Sequence, residues 1–107
     1  MSSETTTLFA WVGGELDRRK VTQCALSRVC GGCGRSLGHP IAFVGTAHEV
    51  ARNELHAPPL HVSCAQDVRR ALDPTWAVVL TGGFEFIRPT KGDVDRVARF
   101  SPNSLIS

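Results

Sequence analysis

The chain has 107 residues, of which 42% are hydrophobic and 21% charged, and it carries a formal net charge of +2 at pH 7. That length predicts one domain with a modest core, burying roughly two-thirds of the surface its unfolded chain exposes. So small a positive charge neither demands nor excludes a nucleic-acid partner, and the absence of any long apolar run excludes a membrane-spanning helix.

Taken in order, Met1 to Thr7 is polar and reads as a flexible end, with no basic region followed by an apolar run that would mark a secretory signal. The four cysteines are therefore expected to be reduced thiols of a cytoplasmic protein rather than secreted disulfides. Leu8 to Val12 is a short apolar run that stops at Gly13-Gly14 and reads as a strand. From Asp17, a candidate N-cap, to Val29 the pattern turns helical, with Val21, Cys24 or Ala25, and Val29 on one stripe. Cys24 on that stripe reads as a small core residue. Arg18, Arg19, Lys20 and Arg28 lie in the same helix and Arg35 follows it. They read first as a solvated helix face and second as a surface that contacts phosphates.

The most informative feature comes next. Cys30-Gly31-Gly32-Cys33-Gly34 and His61-Val62-Ser63-Cys64 each hold two metal-binding residues separated by two others. A structural zinc ion takes four nitrogen or sulfur ligands in a tetrahedron, and two residues so spaced reach one ion from a tight turn. The expected ligand set is Cys30, Cys33, His61 and Cys64, with Zn²⁺ as a structural ion. Gly31 and Gly32 are expected to supply unusual dihedrals for the turn, and Gly34 a positive φ that aims N–H groups at the thiolates. A helix starting near Cys64 would put its positive end beside that thiolate. Arg35, Arg69 and Arg70 are placed to offset the net negative charge of three thiolates on one Zn²⁺. His56 competes with His61, but only His61 repeats the two-residue gap. His39 and His48 read as surface residues.

The interval from Cys33 to His61 has room for one hairpin, with Ile41 to Val44 as a strand. Gly45 to Leu55 is ambiguous between a hairpin arm and a helical turn, and Pro58-Pro59 stiffens the approach to His61. Knuckle, hairpin and ligand-bearing helix start, over about Arg28 to Asp73, together resemble the treble-clef zinc finger. The run Cys-x-x-Cys-Gly-x-x-Leu-Gly, Phe-Val-Gly, then Pro-Pro-Leu-His-x-x-Cys-Ala also looks like small actinobacterial and phage-borne proteins, which implies a bacterial, cytoplasmic setting. The treble-clef class is functionally broad, so the resemblance implies a fold and a metal, not an activity.

A short helix from Cys64 to Leu72, with Ala65, Val68 and Leu72 inward, ends at Asp73-Pro74. Trp76 to Thr81 and Phe84 to Arg88 flank Gly82-Gly83 and predict a C-terminal β-hairpin on a two-residue turn. It is expected to cover the zinc module and to offer an apolar, aromatic surface. Asp93 to Phe100 reads as a last helix or an extended arm, and 101–107 as a flexible end.

The whole predicts a single zinc-binding α+β domain over 1–107. A fully occupied ligand set leaves no open position for catalysis, and no nucleophile–base motif stands out. The expected role is a non-enzymatic protein-interaction module. Nucleic-acid binding through Arg18, Arg19, Lys20, Arg28 and Arg35 is the second reading. Thiol redox chemistry at Cys30 and Cys33 is the third, weakened because Gly38 and Pro40 prevent the helix such a site needs after its motif.

Overall fold

The computed structural model describes residues 8–89 and 98–104. It is an α+β arrangement of three helices and three two-stranded antiparallel sheets among those residues. The first sheet joins β1 (Trp11–Val12) to β2 (Glu15–Leu16). Gly13 and Gly14 make its turn, with φ of 63° and 86°. A two-residue hairpin turn of this hand needs positive φ at both positions, which glycine adopts without a Cβ clash.

Helix α1 runs Arg18–Ser27. Its cap is Asp17, whose side chain accepts from the Lys20 N–H at 3.1 Å, and Val21, Cys24 and Ala25 turn inward as the stripe predicts. It ends on Arg28, which takes a left-handed φ of 54°. Cys24 is fully buried in the core.

β3 (Ile41–Gly45) is buried along its whole length. The next segment, ambiguous in the sequence, is helix α2 (Ala47–Arg52). Thr46 and Glu49 close a reciprocal capping box, each side chain bonded to the other's backbone N–H, at 3.1 Å and 2.9 Å. That Thr-x-x-Glu signal is present in the sequence and outweighs the hairpin-arm alternative. Helix α3 (Val62–Ala71) buries Ala65 and Val68. β4 (Ala77–Thr81), β5 (Phe84–Ile87) and β6 (Arg99–Pro102) complete the fold.

Neither expected hairpin forms as a ladder; between the ligand pairs only an antiparallel bridge joins Ala42 to Leu60, with both backbone bonds at 2.8 Å. β3 pairs antiparallel with β4, from Ile41 opposite Thr81 to Gly45 opposite Ala77, so its partner lies beyond the second ligand pair. β5 pairs with β6, from Phe84 opposite Pro102 to Ile87 opposite Arg99. Gly82-Gly83 is thus a corner between two sheets, and neither glycine takes a positive φ. Thr81 explains the corner. Its fully buried hydroxyl donates to the Gly83 carbonyl at 2.6 Å and accepts from the N–H groups of Gly83 and Ser104, both at 3.2 Å. The Gly82 N–H donates to Ser104 O at 2.9 Å, so the returning strand takes the bonds a tight turn would have used.

β6 passes through Ser101 and Pro102, which the sequence places in a polar tail. Of the segment from Asp93 to Phe100, only Ala98 to Phe100 lies among the described residues, and Arg99 and Phe100 are extended. The core is centred on Phe43 and Phe100, both fully buried. Phe43, Phe84 and Phe100 form a triangle with ring centroids 5.5, 5.5 and 5.6 Å apart, and Phe86 lies 5.0 Å from Phe100. Phe84 and Phe86 thus pack their rings against this core while staying only partly buried, as does Trp76. No helix among the described residues is long and apolar enough to cross a membrane.

Candidate metal centre

Two loops and one helix end build the site. After α1 the chain narrows at a bridge between Val29 and Ser36, and the knuckle is the turn this bridge closes. The Cys30 N–H donates to Arg35 O at 2.7 Å, and the Gly34 N–H donates to Cys30 O at 2.8 Å. The loop is clamped from both sides. On one, Gly31 N–H donates to Pro59 O at 2.8 Å. On the other, the N–H groups of Phe9 and Ala10 donate to Gly32 O and Gly31 O at 3.0 and 2.9 Å.

The knuckle glycines are needed for space rather than for dihedrals. A Cβ on Gly31 would lie 2.4 Å from Pro58 Cγ, and one on Gly32 would lie 2.9 Å from Cys64 Cβ, while neither has a positive φ. Gly34 does take a positive φ, 78°, and Phe9 stacks where its side chain would be, 3.0 Å from a built Cβ. Its N–H bonds to a carbonyl, not a sulfur. The N–H groups that reach the Cys30 sulfur come from Gly32 at 3.2 Å and His61 at 3.3 Å.

His61 is the N-cap of α3, which begins at Val62, two residues before the expected start at Cys64, so Cys64 sits in the first turn. Its imidazole caps no backbone group. Instead Nε2 lies 2.9 Å from the Ser36 carbonyl oxygen. A carbonyl only accepts, so Nε2 carries the proton and the Nδ1 lone pair is left for a ligand. Nδ1 faces two sulfurs, Cys33 Sγ at 3.3 Å and Cys64 Sγ at 3.8 Å. The ligand atoms of Cys30, Cys33, His61 and Cys64 all lie within 4.8 Å of one another, and none of the cysteines is in a disulfide. A tetrahedron with Zn–S of about 2.3 Å and Zn–N of about 2.0 Å has an N–S edge of about 3.6 Å. The two observed N···S distances bracket that edge.

Burial, then hydrogen bonding and charge from the Cys30 and Cys33 sulfurs, push the Cys64 thiol up to about 12. Burial also pushes Cys33 up, but the Arg35 N–H and hydrogen bonds to Cys30, His61 and Cys64 outweigh it and hold that thiol below its usual value. The Cys30 and Cys33 sulfurs thus penalise ionisation of Cys64. A divalent cation at their centre reverses the penalty and deprotonates them. The four residues therefore suit a borderline-soft metal ion.

Other predicted participants are placed elsewhere. His56 is not in the cluster; its Nδ1 pairs with Glu49 Oε2, a pairing with no spacing signal in the sequence. His39 Nε2 lies 3.2 Å from Gly82 O and His48 is exposed, as expected of surface histidines. Arg69 donates to Gln66 Oε1 and Pro74 O, both at 2.8 Å, and Arg70 pairs with Asp67, so neither is turned to the sulfurs. Arg18, Arg19, Arg28 and Arg35 are exposed. The Lys20 ammonium sits 5.3 Å from the Phe9 ring centre and the Arg28 guanidinium 5.2 Å from that of Phe84. Two of the five candidate phosphate contacts thus rest on aromatic faces supplied by distant segments. The Ser36 carbonyl was beyond sequence reasoning, because any residue carries one.

No protein-family model, no curated protein and no solved structure matches the chain. The site stands on its own geometry.

Proposed function

We propose that Cys30, Cys33, His61 and Cys64 hold a structural Zn²⁺ ion, and that the chain is a treble-clef-like, non-enzymatic module presenting a metal-fixed surface to a protein partner. The observation that carries the metal is the His61 imidazole, pinned through Nε2 to Ser36 O with Nδ1 turned to two sulfurs. The treble-clef reading is supported by the knuckle and by a second ligand pair at a helix start. The strand between the pairs bonds Leu60, just before His61, through an antiparallel bridge at Ala42, but its full ladder runs to β4.

Once loaded, all four protein ligands occupy the ion, which ties the knuckle to α3. Apparent affinities of structural zinc in small modules are about 10–16 kcal/mol, as large as a domain's whole stability of about 5–15 kcal/mol. The interaction role draws support from this rigidity and from the exposed apolar side chains Val12 and Leu26. Elemental analysis of protein purified without added metal tests the ion: close to one zinc per chain is expected, and its absence from reduced, folded protein refutes the site. Mass-spectrometric identification of co-purifying material tests the role. A protein retained at high salt supports it; nucleic acid released steeply with salt replaces it with the second reading, through the basic residues of α1.

A further inference from the structure

We propose that the cleft between α1 and β5 is a binding site for a small amphipathic anion, one with an acyl or aromatic body and a single carboxylate or phosphate head. The cavity there holds about 770 Å³. That lies within the range of about 300–1,000 Å³ usual for small-molecule sites. Its described lining divides into two parts. Leu16, Val21, Phe86, Pro89 and Ala98 make an apolar floor, on which a hydrocarbon body is released from water. Arg18, Arg88 and Thr22 supply the polar side, with His56 turned toward Glu49. No carboxylate is among the described lining residues.

Among its described lining residues the exposed charged groups are two arginines. Arg18 and Arg88 are both exposed at its rim, so their guanidinium groups reach a ligand without crossing the core. Arg88 is steadied by the Phe86 ring, 5.7 Å from its centre. Arg18 is also the first residue of a ten-residue helix whose first turn contains no acidic side chain. The Asp17 carboxylate at the cap, which accepts from the Lys20 N–H, offsets the positive end of the helix dipole, so the attraction rests on the two arginines. An anionic head between two arginines gains charge-assisted, bidentate hydrogen bonds, while the floor selects against a bare inorganic ion. None of these residues is a ligand of the proposed metal, so the site stands or falls separately from it.

The experiment titrates the full-length protein with anilinonaphthalene sulfonate, whose fused rings and sulfonate reproduce both halves of such a ligand. Dodecanoate, dodecyl phosphate and inorganic phosphate are then added as competitors. Saturable one-to-one binding is expected, displaced by dodecanoate or dodecyl phosphate and not by inorganic phosphate; the better competitor identifies the head group. Arg18→Ala with Arg88→Ala is expected to weaken binding by about tenfold or more, the loss of one strong charge-assisted contact or greater. Both arginines are exposed, so an unchanged melting temperature accompanies that loss. Thr22→Trp fills the cleft and should abolish binding with the arginines in place. Non-saturating fluorescence, displacement by inorganic phosphate alone, or unaltered affinity in either variant overturns the proposal.

Discussion

The ligand clamp formed by Cys30, Cys33, His61 and Cys64 and the C-terminal strands join parts of the same small molecule by different physics. In the clamp, residues 30–34 and 61–64 meet through a few directed contacts: sulfur, imidazole and backbone N–H groups at fixed distances. In the strand region, β3, β5 and β6 meet through broad apolar burial around Phe43 and Phe100. The clamp tolerates almost no change of atom type but buries little hydrocarbon, whereas the strand core tolerates exchange of shape for shape and depends on volume. A protein of this size, with a core of limited extent, gains from having both.

Removing one member of each region separates them most sharply. Cys33→Ser is expected to release the metal and lower stability by several kcal/mol, read by elemental analysis and denaturant titration. In chelator the variant and the parent should unfold together, because the ion that distinguished them is gone. Cys24→Ala, by contrast, should keep its full metal content; loss of metal there would mean a wrong ligand set. Phe100→Ala, at the hub of the aromatic cluster, is expected to cost about 3–5 kcal/mol, as truncations of buried aromatic residues do. That cost should persist in chelator, and its disappearance would mean that the strand core does not form without the ion.

The knuckle offers a smaller perturbation that keeps every ligand. Gly31→Ala would push a methyl group into Pro58, 2.4 Å from its Cγ, and is expected to cost about 1–3 kcal/mol as overpacking does. Zinc should bind more weakly in the same variant, since the displaced turn carries both Cys30 and Cys33. An alanine variant with parental metal affinity and stability would show that the loop yields freely. The smallest effect belongs to alkaline pH. Burial first, and then the charge of Cys30, push the Cys24 thiol up to about 12 from its ordinary 9.0. The folded state thus favours the neutral thiol, so that this group's stabilising contribution is complete below pH 9 and is lost as pH rises toward 12. Alkaline titration of the parent should show a destabilising step in that window that is diminished in Cys24→Ala.

How far each region could be read from the residues follows from the range of the forces involved. The ligand spacing, the Asp17 cap, the inward stripe of α1 and the stop at Asp73-Pro74 are local, and each appears where the residues indicate. Helix α2 was equally local, its Thr46 and Glu49 capping box being visible in the text of the chain. Pairing of strands is another matter. Two Gly-Gly dipeptides interrupt apolar runs; Gly13-Gly14 forms the positive-φ hairpin turn and Gly82-Gly83 does not. The Thr81 hydroxyl bonds Gly83 locally, and Ser104 and Asn103, some twenty residues downstream, hold the chain open at a corner through bonds to Thr81, Gly82 and Gly83. The downstream half of that arrangement has no local pattern at Gly82.

The order of residues alone indicated which atoms can bind a metal and where α1 begins, because ligand chemistry and capping act within a few positions of the chain. The folded molecule decided which strand lies beside which, that His61 presents Nδ1 rather than Nε2, and that the phenylalanines of β5 pack against Phe100. Those outcomes depend on backbone groups and apolar faces brought together from far apart, and such groups compete for partners only once the chain has closed on itself.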